Sequence, residues 1–311
     1  MSFAYFTHPT SLQHEMGAQH PECPDRVRVI DDFLRASGLL DFARLEIAPA
    51  ASREVILRAH GAALLATLEA RSPSTGYADI DGDTTMNPYT LSAALHAAGA
   101  AVAATDLVCS GRVQRAFCNI RPPGHHAERD QAMGFCFLNN AAIAVLHAIR
   151  AHGLQRVAII DFDVHHGNGS EEILREECDA GRVLMASTFQ YPLYPGSGTN
   201  PLSATSVNVP LAAYSKGEAM RAAVIEQWLP ALDKFAPQLI VISAGFDAHR
   251  DDELAMLGWV ESDYRWVTQQ LVAVSERHCQ GRIVSTLEGG YALGALARSV
   301  GEHVKVLIGA D

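Results

Sequence analysis

The stretch Val157-Ala158-Ile159-Ile160-Asp161-Phe162-Asp163-Val164-His165-His166-Gly167-Asn168-Gly169 runs from an apolar, β-branched segment straight into acids and histidines. Its apolar half reads as a strand buried on both faces. Alternate side chains of extended backbone share a face, so Asp161, Asp163 and His165 are expected to project together at the strand end. A carboxylate and an imidazole two residues apart suit zinc or a similar metal. The plainer alternative is an acidic turn that happens to hold two histidines.

The same rhythm continues outward. Downstream of residue 115, strands are expected at 116–120, 157–160, 183–186, 239–243 and 283–287, with a strand or extended segment at 207–211. Between them fall helices at 139–151 (closed by Gly153), 171–177, 216–235 and 262–278, and a last helix after Tyr291. Ser215 and Glu218 stand at capping-box spacing. Upstream, 3–6 and 45–48 are short strand candidates, and 25–37, 52–59 and 62–70 have helical spacing. The Ala-rich 91–108, after Asn87-Pro88, reads as a buried helix. Residues 72–87 form a long loop in which Asp79, Asp81 and Asp83 alternate. Strands alternating with helices imply an α/β fold, a mostly parallel central sheet with helices on both faces. A length of 311 residues without a composition break fits one domain spanning 1–311.

Bulk properties narrow the function. The chain has 24 basic and 35 acidic residues, a net charge of −11, which argues against a protein that grips nucleic acid by charge. The six cysteines are scattered without a C-x-x-C pair and read as reduced thiols of a cytoplasmic protein. No signal peptide is apparent, and no segment is expected to cross a membrane.

Ligands of open α/β sheets bind at the carboxyl ends of the strands. The unusual polar residues follow those ends: Arg121 to His126, then Asp161 to His166, then Asp247, then Tyr291. Asp163, His165 and Asp247 would make a three-ligand metal site with an open position. His125 or His126 can act as the base, and the Tyr291 hydroxyl, freed by the glycines before it, can stabilise an oxyanion. These parts point to metal-assisted hydrolysis of an amide.

The segments Arg121-Pro-Pro-Gly-His-His-Ala-Glu128, Gly134-Phe-Cys-Phe-Leu-Asn-Asn140, Asp161-Phe-Asp-Val-His-His-Gly-Asn-Gly169, Ser243-Ala-Gly-Phe-Asp-Ala-His249 and Leu287-Glu-Gly-Gly-Tyr291 resemble the zinc-dependent histone deacetylase superfamily. That superfamily includes acetoin-utilisation-type and acetylpolyamine amidohydrolases, and the details look most like class II and its bacterial relatives. The resemblance runs from the His20-Pro-Glu-Cys-Pro24 segment to Tyr291 and implies an arginase/deacetylase-like fold. It implies zinc on Asp163, His165 and Asp247, with Fe2+ or Co2+ as substitutes. It implies His126 as general base and acid and His125 as its partner, bonded through their far nitrogens to Asn168 and Asp161 respectively. Some relatives carry Asp at the Asn168 position, and a neutral partner should leave His126 less basic.

The same resemblance implies a substrate channel involving Gly134, Phe135, Tyr194, Leu254 and Gly289, with Gly134 accepting from the amide N–H. A structural K+ site is implied at Asp161, Ser187 and Thr188 with the carbonyls of Asp163 and His165, and Arg26 matches an arginine behind the active site. Polyamine-preferring relatives have an acidic gatekeeper where this chain has Leu254, with Glu253 beside it. This favours an acylated lysine peptide, protein or other neutral acyl-amide over a small acylated polyamine. An oligomer is compatible with the sequence. Competing readings are an arginase-like binuclear hydrolase, which needs a second D-x-H-x-D set, and a non-catalytic acyl-lysine binder.

Other residues have plainer expectations. His8, His14, His20, His60, His96, His147, His152 and His249 read as solvated, and Asp79, Asp81 and Asp83 as a solvated rim with one of them available to substrate backbone. Cys136 reads as packing, and Trp228, Trp259 and Trp266 as core or interface.

Overall fold

The computed structural model describes residues 2–310. One eight-stranded sheet is formed by β1 (Phe3–Thr7), β2 (Ala43–Ile47), β5 (Arg115–Cys118), β6 (Val157–Asp161), β7 (Val183–Gln190), β8 (Ser206–Leu211), β9 (Leu239–Ala244) and β10 (Ile283–Leu287). A separate small hairpin pairs β3 (Ala78–Asp79) with β4 (Thr85–Met86). The sheet order is β2-β1-β5-β10-β9-β6-β7-β8, and every neighbouring pair in it is parallel.

The helices are α1 (Asp25–Ala36), α2 (Arg53–Ile56), α3 (Ala62–Arg71), α4 (Thr90–Cys109) and α5 (Asn140–His152) in the first half. Then come α6 (Asn168–Asp179), α7 (Gly217–Ala223), α8 (Leu229–Phe235), α9 (Glu261–His278) and α10 (Leu293–Ile308). The alternation along β6 decides which helices meet which face. Val157 and Ile159 join a core with α3, α4, α5 and α6, while Ala158 and Ile160 join a core with α1, α7, α8, α9 and α10. A strand covered on both sides needs apolar residues at successive positions, which explains the unbroken run in the sequence.

Several local expectations are corrected. Residues 72–87 are not loop throughout, because the β3–β4 hairpin carries Asp79, Asp81 and Asp83. α6 starts at Asn168 rather than at residue 171, and β7 continues past residue 186 to Gln190. The Ser215/Glu218 capping box does not form; Lys216 is the N-cap, without a side-chain cap bond. The expected helix over 216–235 is divided by a π-helical turn, Val224–Trp228, within which Val224 and Trp228 are buried.

α4 is long and apolar enough by length and composition to cross a bilayer, contrary to the reading that no segment is. Here it lies against β5, β10 and α5, with most of its residues buried. Trp228 and Trp259 are core residues.

Candidate active site

The four central strands β5, β10, β9 and β6 are neighbours, so the loops at their carboxyl ends meet. The loop after β6 is fixed by its own carboxylates. Asp161 Oδ1 accepts from Asp163 N at 3.1 Å, and Asp163 Oδ1 accepts from His165 N at 2.9 Å. From the loop after β9, Asp247 Oδ1 accepts from Val164 N at 2.9 Å. From the loop after β10, Gly289 N donates to Asp163 Oδ2 at 2.8 Å.

Asp163, His165 and Asp247 thereby converge, each offering one ligand atom within 4.8 Å of the others. His165 Nδ1 lies 3.1 Å from Asp163 Oδ1 and 3.2 Å from Asp247 Oδ2. The close approach requires glycine at two backbone positions: a Cβ on Gly245 would sit 2.0 Å from Asp163 Oδ2, and one on Gly289 2.0 Å from Asp247 Oδ2. Asp247 Oδ2 is buried and makes no hydrogen bond among the described residues. Burial and the nearby Asp163 charge push the Asp247 carboxyl up to about 7. A buried carboxylate oxygen that makes no hydrogen bond, set beside a second carboxylate and an imidazole nitrogen 3.2 Å away, fits a divalent cation, which would relieve the repulsion and take all three as ligands.

The histidine pair follows β5. His125 Nδ1 bonds Asp161 Oδ2 at 3.0 Å, and His126 Nδ1 bonds Asn168 Oδ1 at 2.8 Å. The rings lie 4.0 Å apart. Burial opposes charge on both, with different outcomes. At His125 the Asp163 and Asp161 carboxylates outweigh burial and raise its pKa to about 10. At His126 burial is reinforced by the charges of His125 and His165, so it stays well below the ordinary histidine value. The backbone carrying the pair is pinned by Glu288, whose carboxylate accepts from Gly124 N at 2.7 Å and His125 N at 3.1 Å.

Tyr291 follows β10. Its N–H donates to Asp252 Oδ2 at 2.7 Å, and the Arg26 guanidinium lies 4.8 Å from its ring centroid. Desolvation raises the phenol well above its ordinary value, with Arg26 opposing, so the hydroxyl keeps its proton. Behind it, Glu22 binds both Arg26 (2.9 Å) and Arg121 (2.6 Å) in a fully buried cluster.

A cavity of about 210 Å³ leads to these groups, lined by Asp83, His126, Gly134, Phe135, His165, Leu193, Tyr194, Leu254 and Tyr291. Gly134 and Phe135 both have left-handed backbone, and a Cβ on Gly134 would lie 2.6 Å from the His126 ring. Phe135 N donates to Thr84 Oγ1 at 3.0 Å, which ties this wall to the β3–β4 hairpin. Gly289 lies beneath the Asp163 and Asp247 carboxylates and is not among the residues lining this cavity. Ser187 and Thr188 on β7 are buried, with hydroxyls that find no hydrogen-bond partner among the described residues; Ser187 pairs with Asp161 across the sheet.

Sequence reasoning missed Leu193, Thr84, Asp252, Glu288 and Glu128 as parts of this site. Glu288 and Glu128 were visible as acids inside the quoted motifs. The solvated-histidine reading fails for His14, His60, His147 and His249, which are buried. His14 bonds Thr90 Oγ1 at 2.8 Å and lies 3.3 Å from Glu22. A second carboxylate–imidazole group, Asp106 with His147 and His152, is closed by hydrogen bonds of 2.8 and 2.7 Å, and Arg58 stands 3.3 Å from His147 Nδ1. A guanidinium there opposes a cation. Cys136 is buried and its thiol is raised well above the ordinary value by burial, in keeping with packing.

Residues 20–307 match the histone deacetylase domain. The chain belongs to the histone deacetylase family. It is 38% identical to a probable deacetylase of Archaeoglobus fulgidus, over 93% of this chain and 81% of that one. It is also 38% identical to a histone deacetylase-like amidohydrolase of Pseudomonas aeruginosa, over 90% of this chain and 75% of that one. Its structure is similar to the crystal structure of the HDA15 HD domain, with a TM-score of 0.92 and 34% identity over 99% of this chain and 88% of that one. The family implies a divalent metal, for which Asp163, His165 and Asp247 are the candidate site.

Proposed function

We propose that this chain is a zinc-dependent amidohydrolase that removes acetyl or other short acyl groups from an acylated lysine or related amine. The observation that carries this reading is the buried Asp247 Oδ2, without a hydrogen bond among the described residues, converging with Asp163 on His165, which lines the same cavity as His126 and Tyr291. The N/O donor set suits zinc, with Fe2+ or Co2+ as substitutes. Asp163, His165 and Asp247 would hold the zinc, which would supply Lewis acidity and a water nucleophile at neutral pH.

The protein's own groups do the rest. His126, neutral and bonded through Nδ1 to Asn168, takes the proton of the attacking water at Nε2 and returns it to the leaving amine. His125, held through Nδ1 by Asp161, stabilises negative charge as it develops. The Tyr291 phenol donates to the substrate oxyanion, and the Gly134 carbonyl accepts from the substrate N–H. Phe135 and Tyr194 flank an alkyl stem. The unpartnered hydroxyls of Ser187 and Thr188 near Asp161 support a structural K+ there.

Leu254 lines the cavity, whereas Glu253 lines an adjoining one that shares Leu254 and Tyr291 with it, so the side chain at the gatekeeper position on the channel wall is apolar. This favours acyl-lysine. Asp83 on the cavity wall favours the second reading, a cationic acetylpolyamine substrate. A panel of acetyl-lysine peptide, longer acyl-lysines, acetylputrescine and acetylspermidine, run with and without chelator, distinguishes them. Chelator-sensitive turnover of the peptide is expected. Substrate binding without turnover by the metal-loaded protein would identify a binder instead.

Tyr291→Phe keeps the ring and its place beside Arg26 but removes one fixed donor. Turnover number should fall roughly 10²- to 10³-fold, with the Michaelis constant changed only a few-fold, because the lost bond strengthens in the transition state. A trifluoroacetyl substrate, already activated, should lose less. Wild-type rates on acetyl-lysine would point to another oxyanion donor.

A further inference from the structure

We infer that Glu128 is a positioning residue for proton transfer: it holds the Asn168 amide in the one orientation that leaves His126 Nε2 free to accept a proton. The inference rests on the amidohydrolase reading above.

An amide side chain can present oxygen or nitrogen in nearly the same place, so its neighbours decide its orientation. Asn168 Nδ2 lies 2.7 Å from Glu128 Oε1, and Asn168 Oδ1 lies 2.8 Å from His126 Nδ1. An ionised carboxylate only accepts, so the Asn168 atom facing Glu128 must be the NH2. Met133 Sδ, a second acceptor, lies 3.4 Å from the same nitrogen. The atom facing His126 is then oxygen, which only accepts, so Nδ1 must carry the hydrogen. In a neutral imidazole this leaves the lone pair on Nε2. With the amide turned over, NH2 would face Nδ1, the hydrogen would move to Nε2, and the base would have no lone pair for water.

Glu128 is itself held by structure unrelated to chemistry at the metal. His60 accepts from Asn139 N at Nε2 (2.8 Å), which puts its hydrogen on Nδ1, and Nδ1 donates to Glu128 O at 2.9 Å. Glu128 N donates to Gln131 O at 2.9 Å. Gly169, next to Asn168, permits this segment to lie against the start of α6, since a Cβ there would sit 2.2 Å from Ala127 O. Glu128 and Asn168 also line a separate cavity of about 300 Å³, so a shortened side chain at 128 opens onto space where water can enter.

The arrangement also distinguishes Asn from Asp at residue 168. A carboxylate introduced by Asn168→Asp would face the Glu128 carboxylate at hydrogen-bond distance, and two like charges there cannot both ionise freely. Glu128 therefore makes the chain specific for an amide at 168.

The test uses metal-loaded full-length protein and two readouts. Histidine-labelled protein is examined by long-range 1H–15N spectra, with the His126 signals identified by their loss in His126→Ala. Wild type should show only the Nδ1–H tautomer, and Glu128→Ala should gain the Nε2–H tautomer. On an acetyl-lysine peptide, Glu128→Ala should lose roughly 10- to 100-fold in turnover number, the usual range for residues that orient active-site groups, with the Michaelis constant within a few-fold. Glu128→Gln should lose less, because its amide oxygen can still accept. Asn168→Asp alone should be slower than Asn168→Asp combined with Glu128→Gln, a reversal that independent sites do not give. An unchanged His126 tautomer in Glu128→Ala, or Glu128→Gln and Asn168→Asp losses that simply multiply, overturns the inference. If wild type hydrolyses no acyl-amide at all, the amidohydrolase reading fails, while the tautomer comparison still decides the role of Glu128.

Discussion

Asp247→Ala is expected to yield a folded protein that holds no stoichiometric zinc and shows no measurable deacetylation. Asp247 provides one of the three converging ligand atoms, and its Oδ2 has no alternative hydrogen-bond partner among the described residues. With it gone, Asp163 and His165 offer only two ligands, below the three that catalytic zinc sites use. Metal content after dialysis against a weak chelator measures the loss directly. Full retention of metal would remove Asp247 from the ligand set.

Metal-depleted wild type supplies a control that separates metal loss from misfolding. Burial and Asp163 raise the Asp247 pKa from an ordinary 3.8 to about 7 in the folded chain. The folded state then holds a proton that the unfolded state has released, so this group's contribution falls as pH rises from about 4 to 7 and stays low above that. The melting temperature of metal-free wild type, measured relative to that of metal-free Asp247→Ala, should therefore fall over that window. In metal-free Asp247→Ala that part of the pH dependence should be missing.

His126→Ala is expected to cost roughly 10²- to 10⁴-fold in turnover number, the range for a lost general acid–base, with metal retained. His126 lies on the cavity wall but is not one of the three converging ligands, so its removal should leave the candidate metal site intact. Asn168→Ala should cost less, roughly 10- to 100-fold, because Asn168 orients His126 and moves no proton itself. Steady-state kinetics beside metal analysis tests both, and a His126→Ala enzyme as fast as wild type would show that proton transfer runs elsewhere.

The parallel sheet was legible because central strands carry apolar residues on both faces, and β10 was expected with its actual bounds. The convergence of Asp163, His165 and Asp247 was legible because each follows a strand end and strand ends share one edge. Supports of the site were not. Thr84 acts on Phe135 and Asp252 on Tyr291 across long sequence separations, and neither sits in a pattern that announces its partner. The β3–β4 hairpin was hidden for a related reason: its strands have two residues each, too short for alternation to register. The capping box at Ser215 failed because the helix starts one residue later than the spacing assumes: α7 begins at Gly217, so Lys216 and not Ser215 is the N-cap.

The sheet order has a consequence for how the molecule is made. β10, the last strand in the chain, lies in the middle of the sheet between β5 and β9. During synthesis β2-β1-β5 and β9-β6-β7-β8 can each assemble, but each keeps an interior edge open until residues 283–287 emerge. Pairings so distant in sequence form late, and waiting edges are where chains associate wrongly. A ribosome stalled before residue 283 should thus display two unjoined, protease-sensitive half-sheets. Because Tyr291 follows soon after β10, the step that joins them also brings the proposed oxyanion donor into place, so a chain stalled before residue 283 should carry no deacetylase activity.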